Sequence, residues 1–328
     1  MRKSRKQEPP RSRSRGSLAD SRLGLLELDR FTNTDITRWK KLSDDLDELN
    51  DLLYFGIEPQ RQRHHEAMID ALQRVKPTSF TFSRWTRLVS WRYGNDPLSA
   101  AGSLADHGGR FNIGRDVDNT MRAPWPSLYL GENFETAYRE KFQLDRGDRV
   151  DGLSPEELAL NPGNSFTAVC LDGQLNRVFD VDEPGAFDPL CAVLRKIKLP
   201  AQVRQLQYRL KIPKHAIFML RSASQLRTET LQKNWRAMPV QFGLPALSQI
   251  LGSLILDAGF EAIRYPSTKG SGSCLAVFPH KLSSSQSYVA LSDDPPAELR
   301  HARLDMDSAD ELCGWEMLRT NQQPRNGG

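Results

Sequence analysis

Apolar residues return at three- and four-residue steps through the first quarter of the chain. Ile36, Trp39, Leu42, Leu46, Leu49, Leu52 and Leu53 share one helical face behind Thr34-Asp35, which reads as an N-terminal cap. Phe55-Gly56-Ile57-Glu58-Pro59 breaks this run. Met68, Ala71, Leu72 and Val75 then continue the period in a second helix, closed by Pro77-Thr78. The pattern predicts a helical region over residues 17–78. Its apolar stripe needs a surface to pack on, either the main body of this chain or another copy in a homo-oligomer.

Beyond residue 78 short apolar runs mix with amphipathic ones. Strands are predicted at Thr86–Val89, Leu128–Leu130, Phe166–Leu171, Ala216–Leu220, Ala262–Tyr265, Cys274–Phe278 and Tyr288–Leu291, and helices at Phe134–Phe142, Phe187–Ile197 and Ala246–Ala258. The last helix carries Leu247, Ile250, Leu251, Leu254, Ile255 and Ala258 on one face, with Gly259 as its C-terminal cap. Strands and helices that do not alternate regularly point to an α+β core rather than a doubly wound sheet. Residues 145–164, rich in Asp, Gly, Pro and Glu, read as an exposed insertion, and 321–328 as a frayed end.

Charge changes this picture at one end only. Residues 1–16 hold seven Arg and Lys against Glu8, a net +6, so the chain's overall +4 becomes −2 beyond residue 16. With its Arg-Ser alternation and Pro9-Pro10 the segment cannot bury apolar area and reads as a disordered basic tail. Any attraction to nucleic acid therefore belongs to the tail and not to the folded body. No apolar run approaches the ~20 residues that span a bilayer, and no hydrophobic stretch follows the basic start. Cys170, Cys191, Cys274 and Cys313 are widely spaced, with no Cys-x-x-Cys and no histidine pair beside them. They read as thiols of a reducing cytoplasm, not as a zinc or disulfide framework.

Candidate chemistry gathers between Gly108 and Glu140. Gly108-Gly109-Arg110-Phe111-Asn112 is a glycine-rich turn presenting an arginine. Tyr129 follows on a short apolar strand, and Glu140 on the helix after it. A guanidinium fork suits phosphate oxygens in a bidentate grip that lysine cannot make. Gly109 allows close backbone approach, a tyrosine ring packs on a flat heterocycle, and a carboxylate opposes a sugar cation. Glu132 and Glu135 are alternative acids on the same segment. His64-His65-Glu66 faces too many directions for a joint metal site, Ser267 lacks a nucleophile elbow, and Lys269-Gly270-Ser271 lacks the upstream glycines of a phosphate loop. No metal site or carboxylate cluster for a nuclease is found.

The ordered set Arg87, Gly-Gly-Arg110-Phe-Asn112, Tyr129, Glu140 eleven residues later, and Pro266-Ser267-Thr268 before Leu275–His280 resembles the RES domain, over roughly Phe82 to Leu291. That resemblance implies an ADP-ribosyltransferase-like fold and the toxin of a bacterial RES–Xre toxin–antitoxin pair. It implies NAD as substrate, with no resident cofactor, cleaved with water or phosphate as acceptor, and an Xre-type antitoxin as partner. Carried onto this chain, it makes Arg110, Tyr129, Glu140 and Ser267 the candidate catalytic residues. Arg87, Gly109, Arg110, Asn112, Tyr129 and Ser267 are the candidate NAD contacts. The organisation expected is a tail (1–16), a helical region (17–78), a catalytic domain (79–295) and a C-terminal extension (296–328). Three features depart from the family pattern: the loop Arg115–Pro126, a longer middle section Asp145–Val240, and the N-terminal helices. A mono-ADP-ribosyltransferase acting on a macromolecule and a non-catalytic interaction protein are the competing readings.

Overall fold

The structure, a computed structural model, describes residues 33–117, 123–144, 165–295, 297 and 299–314. The expected basic tail, the insertion at 145–164, the end at 321–328 and part of the loop after Arg115 lie outside the described residues. The helices described are α1 (Asn33–Tyr54), α2 (Glu58–Arg63), α3 (His65–Gln73), α4 (Phe134–Phe142), α5 (Asp188–Leu194), α6 (Ala201–Arg209), α7 (Ala223–Thr230), α8 (Ala237–Phe242), α9 (Leu247–Asp257), α10 (Pro279–Leu282) and α11 (Ala309–Cys313). The strands are β1 (Thr78–Ser90), β2 (Gly108–Gly109), β3 (Asn112–Ile113), β4 (Leu128–Gly131), β5 (Phe166–Asp180), β6 (Ala262–Pro266), β7 (Ser273–Val277), β8 (Tyr288–Leu291) and β9 (Arg303–Leu304).

Packing divides the chain into two units, one holding residues 33–56 with Leu199–Ile217 and the other holding Ile57–Lys198 with the described residues from Phe218 onward. In the first unit α1 packs on α6. Leu49, Val203 and Leu206 are buried there, with Leu52, Leu53, Leu210 and Ile212 against them. Arg209 reaches across to Asp45 at 3.0 Å and Glu48 at 3.4 Å. Leu49, Leu52 and Leu53 of the apolar stripe read from the sequence are covered in this way, whereas Trp39 and Leu46 remain exposed.

The second unit is an α+β body around a seven-stranded sheet in the order β1-β4-β7-β6-β5-β8-β9. An additional β1–β5 ladder, from Thr78↔Val178 to Ser90↔Phe166, closes β1, β4, β7, β6 and β5 into a ring. Both faces are covered, so the period-two alternation sorts residues between two cores. Leu128, Leu130, Leu275, Val277 and Ala262 enter one. Cys274, Ala276, Ile263 and Tyr265 enter the other, with Tyr129 packed against it. The registers Tyr129↔Ala276 and Ile263↔Ala276 set these last side chains on one face.

Three sequence expectations change. Helices α2 and α3 do not form one region with α1: Met68, Ala71 and Leu72 are buried in the larger core beside Leu190 and Ile255, so the boundary falls after Gly56 and not near residue 78. The apolar run Ala216–Leu220 is no strand. It follows a 3-10 turn at Lys214–Ala216 and finds no ladder partner among the described residues. The C-terminal segment is not an appendage up to residue 314. Strand β9 pairs with β8 through Val289↔Leu304, and Ala309 and Leu312 are buried in the core. None of the described helices is long and apolar enough to cross a membrane.

Candidate active site

Arg110 sits at the tip of the β2–β3 hairpin, where Gly109 pairs with Asn112 across a two-residue turn and Gly108 takes a left-handed φ of 81° that glycine adopts without strain. The hairpin is stapled from behind. The fully buried Gln249 of α9 donates from Nε2 to the carbonyls of His107 (2.8 Å), Gly109 (3.0 Å) and Asn112 (3.0 Å). Its two amide hydrogens are thereby shared among three carbonyls.

Asn112 is fully buried as well, and this corrects its expected role as a ligand contact. Its amide donates to Ser103 O (2.8 Å) and Trp125 O (3.1 Å), and its Oδ1 accepts from the Gly109 N–H (3.0 Å) and the Tyr129 hydroxyl (2.8 Å). The same Tyr129 hydroxyl accepts from the Phe111 N–H at 2.9 Å. Its ring lies so close over Gly109 that a Cβ there would stand 2.5–2.6 Å from Cε2 and Cζ. Burial pushes the Tyr129 hydroxyl well above its usual value. The hydroxyl is spent inside the wall, and what Tyr129 offers the cavity is ring surface.

Helix α4 delivers the acid. Asn133 caps it by accepting the Thr136 N–H at 2.9 Å. Gly131 lets the helix fold back onto β4, because an added Cβ would meet the Ala137 backbone. Glu140, in the last turn, is held by the β6–β7 turn. Its Oε1 accepts from Ser267 Oγ at 2.7 Å and from the Thr268 N–H at 2.8 Å, with Thr268 Oγ1 at 3.4 Å. Ser267 Oγ itself accepts the N–H groups of Lys269 and Gly270. Ser267 is thus a clamp on Glu140. The rival acids are elsewhere engaged: Glu135 pairs with Arg139 at 2.9 Å and Glu132 accepts the Ser273 N–H at 2.7 Å.

Arg110 and Glu140 meet through one hydroxyl. Arg110 Nη2 donates to Thr268 Oγ1 at 2.8 Å, while Nη1 donates to the carbonyls of Gln232 (2.9 Å) and Thr230 (3.3 Å). Both line a cavity of about 270 Å³ together with Gly109, Tyr129, Tyr265 and Cys274. Arg87 is on the same wall, but its guanidinium donates to three carbonyls: Pro97 (2.8 Å), Ser99 (2.8 Å) and Tyr129 (3.3 Å). Burial lowers it to about 10. Three of its five N–H groups serve the framework in this way. Its charge still acts on the cavity.

Sequence reasoning missed three wall residues. Lys141 follows Glu140 and is held below its usual value by burial and then by the Arg87 charge. Trp235 and Arg236 come from the turn between α7 and α8, where Arg236 is lowered by burial and then by Arg110. Among the described residues lining the cavity, Glu140 is the one acid facing four cations, Arg87, Arg110, Lys141 and Arg236. An excess of cations around one cavity suits it to an anion. The adjacent Trp-Arg pair was the available signal for the missed wall, but nothing in the sequence tied it to Arg110.

Residues 187–300 match the family model of the RES domain. That segment of the chain is similar to the RES domain. No curated protein matches the sequence. A solved structure, that of the M. tuberculosis MbcT-MbcA toxin-antitoxin complex, is similar at 12% identity over 75% of this chain and 97% of that chain, with a TM-score of 0.38. The RES match contains Ser267, Trp235 and Arg236. Arg110 and Glu140 precede it in sequence and reach it in space through the Thr268 and Ser267 hydrogen bonds, and Tyr129 through its ladder pairing with Ala276.

Proposed function

We propose that this chain is an NAD-consuming toxin that cleaves the nicotinamide–ribose bond, with water or phosphate as acceptor, and so depletes cellular NAD. The observation that carries this reading is the fixed carboxylate of Glu140 on the wall of a cavity whose other charged side chains, among the described residues lining it, are all cationic. Nicotinamide leaves as a neutral base from a ring that is already positive, so no general acid is required and one carboxylate suffices where ordinary glycosidases use two. Glu140 Oε1 is committed to the Ser267–Thr268 turn, and its Oε2 accepts no hydrogen bond from the described residues. That oxygen is the one to meet the ribose hydroxyls and oppose the oxocarbenium charge, in an orientation set before substrate arrives. The cationic wall suits a diphosphate. A volume of about 270 Å³ is below the usual range for whole drug-sized ligands and suits the reacting half of a dinucleotide.

We further propose a bacterial, cytoplasmic setting and an Xre-type protein antitoxin as partner, as the resemblance of the motif residues implies. The test is purified protein with NAD labelled in its ADP-ribose part. Release of free ADP-ribose or its phosphorylated form is expected, and cellular NAD should fall on induction of the parent while Glu140→Gln spares it by slowing turnover on the order of 100- to 1000-fold. Intact NAD after prolonged incubation, with Glu140→Gln as toxic as the parent, would refute the reading. Label retained on a macromolecule would replace depletion by transfer.

A further inference from the structure

Arg110 is not the freest guanidinium in the cavity. Three of its five N–H bonds already go to Thr230 O, Gln232 O and Thr268 Oγ1, which fixes it as a charge and leaves two for a ligand. Arg236 is different. Its guanidinium makes no hydrogen bond or ion pair with the described residues, and its guanidinium carbon lies 4.7 Å from the centre of the Trp235 ring. Arg110 approaches the same ring at 5.7 Å. Trp235 is buried, so two cations share one indole in a partly desolvated wall. Like charges this placed repel unless an anion completes the set. The ring holds Arg236 by cation–π attraction while leaving its planar edge, with all its donors, unspent.

We propose that Arg236, carried on Trp235, is the residue that grips the substrate diphosphate directly, with Arg110 as the fixed charge behind it. This rests on the reading of the cavity as a nucleoside-diphosphate site. An indole face pre-sets the plane of the guanidinium, so little freedom is lost when two parallel N–H···O bonds form to phosphate. Arg236 is therefore a binding residue that Trp235 positions. The turn between α7 and α8 becomes the part of the fold that selects a diphosphate.

The experiment is calorimetric titration of the full chain with ADP-ribose, which keeps the diphosphate but has no bond to cleave, and with adenosine, which lacks it. Arg236→Gln should weaken ADP-ribose on the order of 10- to 100-fold, as loss of charge-assisted hydrogen bonds does, and leave adenosine unchanged. Arg236→Lys, which keeps charge and stem but not the fork, should fall between parent and Arg236→Gln. Parent-like ADP-ribose affinity in Arg236→Gln overturns the assignment and leaves the cavity reading standing. An equal loss for adenosine also overturns it, by showing a structural role. Failure of the parent to bind ADP-ribose at all removes the cavity reading and this inference with it.

Discussion

Ser267→Ala separates a residue that touches substrate from one that acts through Glu140. In the parent, Ser267 Oγ lies 2.7 Å from Glu140 Oε1, beside the Thr268 N–H at 2.8 Å. A hydrogen bond to a charged group contributes about 1.5–3 kcal/mol. Its loss leaves Glu140 attached through Thr268 alone and free to swing from the ribose. If all of that were felt in the transition state, kcat would fall about 10- to 150-fold; partial retention by Thr268 makes the lower end the expected value. KM should change little, because the cationic wall is untouched. The informative assay is the double-mutant cycle with Glu140→Gln, reading kcat/KM for NAD cleavage. If Ser267 works only by orienting the carboxylate, the double variant is no slower than Glu140→Gln alone. Multiplicative losses would refute the reasoning and return Ser267 to a direct substrate contact. The Lys269 and Gly270 N–H groups also lose their acceptor, so thermal midpoints must be compared to show that the turn persists.

Two further outcomes follow from the same wall. Gly109→Ala places a methyl 2.5–2.6 Å from the Tyr129 ring, whose hydroxyl is tied to Asn112 and Phe111; overpacking of about 1–3 kcal/mol is expected, read as a lower denaturation midpoint, and an unchanged midpoint would show that the ring gives way. Lys141 is lowered by burial and by Arg87, so its positive charge is lost at lower pH than an ordinary lysine's as pH rises. Affinity for ADP-ribose should accordingly fall toward alkaline pH, and Lys141→Arg should move that fall to higher pH; a parent profile flat to pH 10 would dismiss Lys141 from the anion site.

The pattern of apolar positions determined much of the scaffold. Helix α4 is found at its expected limits, and strands β4, β6, β7 and β8 lie within about a residue of theirs, because strong local periods carry their own signal. Strand β5 runs nine residues beyond its expected end at Leu171, to Asp180, and β1 begins eight residues ahead of Thr86, at Thr78. These long strands are stabilised by pairing with each other, which no local window contains.

The reacting pair shows the same division. The order Arg110, Tyr129, Glu140, Ser267 singled out these side chains by type and spacing. What each one does was decided by tertiary contacts, which for Arg110, Glu140 and Ser267 reach across more than a hundred residues. Ser267 clamps Glu140, and Asn112 and the Tyr129 hydroxyl are consumed inside the wall. Arg87 spends three of its donors on carbonyls, and Trp235 brings Arg236 beside Arg110. A sequence states which groups can donate, accept or carry charge. Only folding decides which of those capacities are already used, since a buried donor must be satisfied by whatever the tertiary structure sets next to it.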